Sequence, residues 1–148
     1  MDEYSRLLAF MKIAVQNLGT LHRHLMDSAA WFSLHEELEE WYEELSDHLD
    51  DLIEIGLALG YRDPSIKDAV LLFGGDILED AAFSCREALI AARNILRSVS
   101  GMMGAAREGV PVNVQSKIDE YSYHWDKVAD YKIAAALGGR SGLDDDDD

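Results

Sequence analysis

A segment of about thirty residues, from Ala30 to Leu59, constrains the fold of this chain more than any other. Its apolar residues recur in steps of three and four, which places them on one stripe of an α-helix. The stripe consists of Leu38, Tyr42, Leu45, Leu49, Leu52, Gly56 and Leu59. Gly60 follows as a C-terminal stop. A helix this long with one apolar stripe must bury that stripe against other helices, so the sequence predicts a helical bundle.

Three further long segments show the same periodicity. They run from about Glu3 to Met26, from Asp76 to Met103 and from Asn113 to Leu137, with breaks rich in glycine between the later ones. A short helix is predicted in the crossover between the second and third long helices, with Asp63 as its N-cap and Pro64 at its first position. Four long helices with one long crossover predict an all-α, ferritin-like four-helix bundle.

The charge of the chain is its most informative bulk property. The net charge is −16, and five of the negative charges lie in Asp144–Asp148. We expect residues 1–138 to form the bundle and residues 139–148 to be a disordered acidic tail, because that tail has no apolar periodicity. A surface this negative repels phosphates, which argues against a nucleic-acid partner. It favours cations, or it serves only to keep the protein soluble.

Two further features bear on the compartment. Cys85 is the only cysteine, so no internal disulfide can form, and a reducing cytoplasm is the expected location. No apolar run approaches the length of a membrane span, so no membrane partner is expected.

The second helix carries two pairs of possible metal ligands. His35 and Glu39 are four residues apart on one face, and so are Asp50 and Glu54. Histidine and carboxylate together suit iron, manganese or zinc. The alternative for Asp50 and Glu54 is a solvated acidic face, and Glu39 is either a bridging carboxylate or a support for the ligands.

The two pairs cannot serve one metal ion within one chain. His35 and Asp50 are fifteen residues apart, or about 22 Å along a helix. Two chains packed with these helices antiparallel about a two-fold axis would bring each His35 to Asp50 and Glu54 of the other chain. An ordinary di-iron centre inside the bundle is excluded, because it needs Glu-x-x-His motifs. The residues three before each histidine are Gly19, Leu21, Phe32, Leu45 and Tyr121.

A second histidine ligand is expected near the end of the first helix. His22 falls on the apolar stripe, so we expect it to face the bundle as a core or interface residue. His24 lies about 200° further round the helix and should point away from the bundle. The outward direction favours His24 as the ligand that joins His35, and His22 remains the alternative.

These residues resemble the signature of the Dps family of small ferritins. Leu34-His35 matches the Leu-His of that signature, with Glu39 at the position of the acid and Asp50 and Glu54 at the expected spacings. The first histidine of the family corresponds to Arg23, and a connection one residue shorter brings His24 into register. The segment His24-Leu25-Met26 is also similar to phage-encoded relatives of the family.

The resemblance implies a cytoplasmic iron-storage protein. It would oxidise Fe²⁺, with hydrogen peroxide as oxidant, at intersubunit ferroxidase sites and store Fe³⁺ in a cage. It implies self-assembly through a two-fold dimer into a dodecamer, with His24, His35, Asp50 and Glu54 catalytic and Glu39 a further metal ligand. Zn²⁺ or Mn²⁺ could occupy the same site. The alternative is a non-catalytic structural or adaptor protein that has kept the fold.

Overall fold

The computed structural model describes residues 1–26 and 29–138, and in these ranges the chain is helical, as its periodicity predicts. The predicted fold class, a ferritin-like bundle of four long helices with a short helix in the crossover, is confirmed. The helices are α1 (Glu3–Arg23), α2 (Trp31–Ala58), α3 (Ile66–Phe73), α4 (Cys85–Ala106), α5 (Val112–Lys127) and, after a π-helical stretch (Val128–Ile133), the single turn α6 (Ala134–Ala136). Short 3-10 turns follow α3 (Gly74–Asp76) and α4 (Arg107–Gly109).

The helix α1 lies at the centre of the bundle. Fourteen of its 21 residues are buried, and it packs against α2, α3 and α4. The other long helices also bury one stripe each, with large side chains such as Leu38 in α2, Leu96 in α4 and Trp125 in α5. Full burial of one such side chain contributes about 1.5–3 kcal/mol. None of the helices in the described ranges is both long and apolar enough to cross a bilayer.

One end of the contact between α1 and α2 is fixed by Tyr4 and Gly56. The Tyr4 hydroxyl donates a hydrogen bond to the Leu52 carbonyl at 2.5 Å, and its ring stacks on Tyr61 with centroids 4.7 Å apart. A Cβ atom at Gly56 would lie 2.6 Å from the Tyr4 ring. Glycine is therefore required at this position by the close approach of the two helices.

We expect Gly56→Ala to lower the free energy of unfolding by about 1–3 kcal/mol, because the buried and stacked Tyr4 ring cannot move away from the added methyl group. Gly101→Ala is the matched control. Gly101 is an exposed glycine in α4, and a Cβ atom added there would meet no neighbour within 4 Å, so alanine should stabilise by about 0.5–1 kcal/mol. Urea unfolding at neutral pH measures both, and equal effects would contradict the steric argument.

The third long helix begins later than predicted, at Cys85 rather than near Asp76. The local reason is a capping box in which Ser84 and Glu87 satisfy each other's backbone N–H groups. The tertiary reason is the buried side-chain amide of Asn17 in α1. It donates to the Asp76 carbonyl at 2.9 Å and accepts from the Leu78 N–H at 3.0 Å, which holds the chain before α4 out of a helix.

The short helix is also displaced from its predicted start. It begins at Ile66, with Ser65 as its N-cap and a capping box completed by Asp68. The predicted cap, Asp63, instead forms an ion pair with Lys12 at 2.7 Å. The helix α1 ends at Arg23, three residues before the predicted Met26. The predicted tail, residues 139–148, lies outside the described residues.

Candidate metal centre

The C-terminal turn of α1 meets the first turns of α2, and two histidines face each other there. The rings of His22 and His35 stack with centroids 4.2 Å apart and planes inclined by 24°. Glu39 lies one turn further along α2 and is exposed. Ligand atoms of His22, His35 and Glu39 all lie within 4.8 Å of one another. Among residues 1–26 and 29–138 this is the only such group of three; we call it the trio.

Both histidines hold their Nδ1 atoms against backbone carbonyls. His35 Nδ1 lies 3.1 Å from the His22 carbonyl oxygen, and His22 Nδ1 lies 3.4 Å from the His35 carbonyl oxygen. A carbonyl only accepts, so each Nδ1 carries the proton and donates. The free in-plane lone pair then lies on Nε2 in both rings, and a histidine that binds a metal ion through Nε2 needs this tautomer. The reciprocal hydrogen bonds therefore prepare two nitrogen ligands.

Trp31 orients His35 from within the same helix. The two rings stack with centroids 4.5 Å apart and planes inclined by 12°, and the Trp31 indole N–H donates to the Leu25 carbonyl at 3.1 Å. The Leu25 segment is itself fixed, because Met26 N–H donates to the Phe83 carbonyl at 2.8 Å. A backbone contact between two loops thus helps to set the plane of the His35 ring.

The structure brings His22, and not His24, beside His35 and Glu39. His22 is half-buried and His24 is exposed, which are the orientations predicted for both. The His24 backbone N–H caps α1 by donating to the Thr20 carbonyl at 3.0 Å, and its carbonyl accepts from Phe83 N–H at 3.1 Å. His24 as a ligand stays a prediction. Its outward direction favoured His24 as the partner of His35, but His35 lies on the flank of α2 that faces α1, and His22 lies on that side.

A comparison of His22→Ala with His24→Ala distinguishes the two histidines. Loss of one ligand of the trio should weaken Zn²⁺ binding at least about tenfold, whereas loss of the exposed His24 should leave it unchanged. Isothermal titration of the metal-stripped protein with Zn²⁺ measures both constants. The reverse ranking would mean that the stacked rings are structural and that His24 is the ligand.

Asp50 and Glu54 are exposed on the outer side of α2 and do not belong to the trio. Neither makes an ion pair or a side-chain hydrogen bond with the described part of its own chain. The helical spacing that separates them from His35 is present as predicted, since α2 is continuous from Trp31 to Ala58. Their place in a shared site therefore remains a prediction that needs a second chain.

A second pair of histidines lies on the opposite flank of α2, towards α5. His48 stacks on Tyr121 at 3.8 Å, and His124 approaches it edge-on with centroids 5.8 Å apart. The Trp125 indole N–H donates to His48 Nδ1 at 3.0 Å, so this nitrogen must accept and the proton of the neutral ring sits on Nε2. His124 Nε2 lies 3.3 Å from a carboxylate oxygen of Glu44. These contacts make the pair a packing element of the interface between α2 and α5.

The pKa of His48 is lowered to about 4, chiefly by burial and secondly by the nearby His124, against the opposing charges of Asp47 and Asp51. The unfolded chain, in which histidine titrates near 6.5, therefore binds this proton first as the pH falls. The stabilisation from neutral His48 is complete above pH 6.5 and is lost between 6.5 and 4.

We expect the wild-type protein to lose about 3 kcal/mol of unfolding free energy from this group across that window, because each pKa unit corresponds to about 1.4 kcal/mol. His48→Phe should be less stable at neutral pH, because it leaves the Trp125 N–H without its acceptor, but it should lose less on acidification. Chemical unfolding at several pH values between 4 and 7 measures the difference, and parallel curves for the two proteins would contradict the assignment.

The donor set of the trio determines which ions it can hold. Two imidazole nitrogens and one carboxylate oxygen suit ferrous iron, zinc or manganese, and they leave coordination positions open for further ligands. Neighbouring carboxylates of α2 add a negative field that favours a cation. The residues therefore fit a divalent metal ion of this class.

The four long helices, with a short helix in the long crossover between the second and the third, form a ferritin-like bundle. Among solved structures, the chain is similar to Dps from Staphylococcus aureus. The TM-score is 0.63 at 19% sequence identity, and the similarity covers 86% of this chain and 92% of that one. At this identity the likeness establishes the fold. No protein-family model and no curated protein sequence matches the chain.

Proposed function

We propose that this protein is an iron-storage and detoxification protein that oxidises Fe²⁺ at sites shared between two chains and stores the Fe³⁺ product in a cage. The observation that carries the proposal is the trio itself: two histidines with free Nε2 atoms and a carboxylate, prepared at the junction of α1 and α2 in a ferritin-like fold. The similar Dps from Staphylococcus aureus supports the choice of this class over other helical bundles.

The chain's own residues would bind the substrate ions and hold them against the oxidant. His22, His35 and Glu39 supply one side of the site, and Asp50 and Glu54 of a second copy supply the other. With hydrogen peroxide, two ferrous ions each give up one electron, the O–O bond breaks, and the oxygen atoms leave as water or in ferric oxide-hydroxide. Hard carboxylate oxygens favour the ferric product.

Stopped-flow absorbance after addition of Fe²⁺ and then peroxide, without oxygen, tests the activity. We expect rapid formation of ferric-oxo absorbance in the wild type and at least a tenfold slower rate in His35→Ala, because the central ligand of the trio is lost. Glu36→Ala is the matched control, since Glu36 is an exposed acid next to His35 that lies outside the trio. A wild-type protein that leaves Fe²⁺ unoxidised would support the alternative of a non-catalytic structural bundle.

Mixing variants tests whether the site is shared. His35→Ala and the double variant Asp50→Ala, Glu54→Ala should each be inactive alone. If each site takes His35 from one chain and Asp50 and Glu54 from the other, a mixed dimer regains one of its two sites, and random exchange restores about a quarter of all sites. Mass spectrometry verifies that the subunits have exchanged. If activity does not return after verified exchange, the shared geometry is ruled out.

A further inference from the structure

A groove lies between α1 and α4, beside the loop that leads into α4. Its volume is about 280 Å³. Three separate segments of the chain line it: α1 with Phe10 and Asn17, the segment between α3 and α4 with Asp76 and Leu78, and α4 itself. No residue of the trio lines it. The groove is therefore separate from the candidate metal centre, and we call it the crossover groove.

Asn17 fixes the wall that the loop contributes to the crossover groove. Its side chain is buried, and it bridges the Asp76 carbonyl and the Leu78 N–H at 2.9 and 3.0 Å. Because the amide is bonded at both its nitrogen and its oxygen, the backbone on either side of Ile77 is held in place. A ligand that enters the groove does not have to order this loop, and such preorganisation favours binding.

The more buried part of the groove lining is apolar. Phe10 of α1 is buried, and Leu78, Ala91 and Ile95 are half-buried. The Phe10 ring is held edge-on by Phe73, with centroids 5.2 Å apart. A hydrocarbon group that leaves water for such a surface gains free energy. This part of the groove therefore favours a ligand with an aliphatic body.

The exposed part of the groove lining is polar and carries one negative charge. Asp76, Asn94 and Ser98 are exposed, and within residues 1–26 and 29–138 their side chains make no hydrogen bond or ion pair. Each of the three offers an oxygen acceptor. A primary ammonium group has three N–H donors and one positive charge, so its donors match these acceptors in number and its charge matches Asp76.

The same lining argues against other kinds of ligand. Within the described ranges, no lysine, arginine or histidine lines the groove, so an anion would find no opposite charge there. A divalent metal ion would find one carboxylate, whereas such ions bind through several charged or nitrogen ligands. Drug-sized molecules occupy pockets of about 300–1,000 Å³, so the ligand is smaller than these. The net charge of −16 also raises the concentration of cations near the surface.

We propose that the crossover groove binds a small primary alkylamine in its protonated form. The Asp76 carboxylate, with Asn94 and Ser98, binds the ammonium group, and the alkyl chain lies along Phe10 and Ile95. Alkylamines are protonated at neutral pH, as the lysine side chain is. This site lies outside that of the proposed function, and neither depends on the other.

The test uses the full chain and n-butylammonium at pH 7 and low ionic strength. Saturation-transfer NMR, which observes the ligand and works for a chain in any assembly state, measures the dissociation constant. We expect saturable binding that weakens about threefold for each methylene removed from the alkyl chain. Butyrate has a similar shape and the opposite charge, and it should not bind. Equal binding of butyrate, or an affinity that does not change with chain length, would overturn the proposal.

The variant Asp76→Asn removes the charge and keeps the backbone carbonyl that Asn17 binds. It should weaken binding of n-butylammonium about three- to fivefold, which is the range for an exposed ion pair. Asp80→Asn is the matched control, since Asp80 is an exposed acid of the same segment that does not line the groove. It should leave the affinity unchanged. Equal losses in the two variants would mean that overall charge attracts the amine, and this would overturn the proposal.

A third variant, Ala91→Leu, tests whether the amine occupies the groove. The larger side chain fills the space that the alkyl chain needs, so binding should be lost at every chain length. Circular dichroism checks that the variant is folded, and its oxidation of Fe²⁺ should match that of the wild type. Binding that persists in folded Ala91→Leu would mean that the amine binds elsewhere. A wild-type chain that binds the amine but does not oxidise Fe²⁺ would contradict the proposed function alone.

Discussion

The alignment of α1 with α2 is the constraint on which the rest of the structure depends, because it is fixed at both ends. At one end, the Tyr4 hydroxyl binds the Leu52 carbonyl and its ring occupies the space above Gly56. At the other end, His22 and His35 bind each other's backbone carbonyls. A slip of one residue would break both contacts. The geometry of the candidate metal site is therefore not held by the site's own side chains alone; the packing energy of the two helices maintains it as well.

The helix α2 has three sides with different surroundings. Its apolar stripe packs into the bundle. Its flank towards α5 and the π-helical stretch places acids opposite partners such as His124 and Lys132. The acids on its outer side have no ion-pair partner in residues 1–26 and 29–138. In a single chain the unpaired carboxylates are hydrated and cost little. They become expensive only when another chain removes that water. Pairing of two chains through this side of α2 would therefore be opposed by its charge.

The number of long helices and the short helix in the crossover could be predicted from the sequence, because apolar periodicity and glycine breaks are local signals. The start of α4 could not, because it depends on Asn17, a residue about sixty positions earlier that holds the preceding loop. The pairing of His35 with Glu39 followed from helical spacing. The choice between His22 and His24 did not, because it depends on which flank of α2 faces α1, and a helical wheel of α1 alone does not contain that information.

The two pairs of histidines show why residue type and spacing leave the chemistry of a site open. All four histidines are half-buried, the two rings of each pair are in contact, and each pair has a carboxylate nearby. The difference lies in the group that faces Nδ1. A carbonyl oxygen forces the proton onto Nδ1 and leaves the Nε2 lone pairs of His22 and His35 free for a metal ion, whereas the Trp125 indole N–H takes the Nδ1 lone pair of His48 and commits Nε2 to carrying the proton. For His22 and His35, the group that faces Nδ1 is a backbone carbonyl of another helix. For His48 it is the side chain of Trp125. The packing of the helices therefore determines which pair can bind a metal ion.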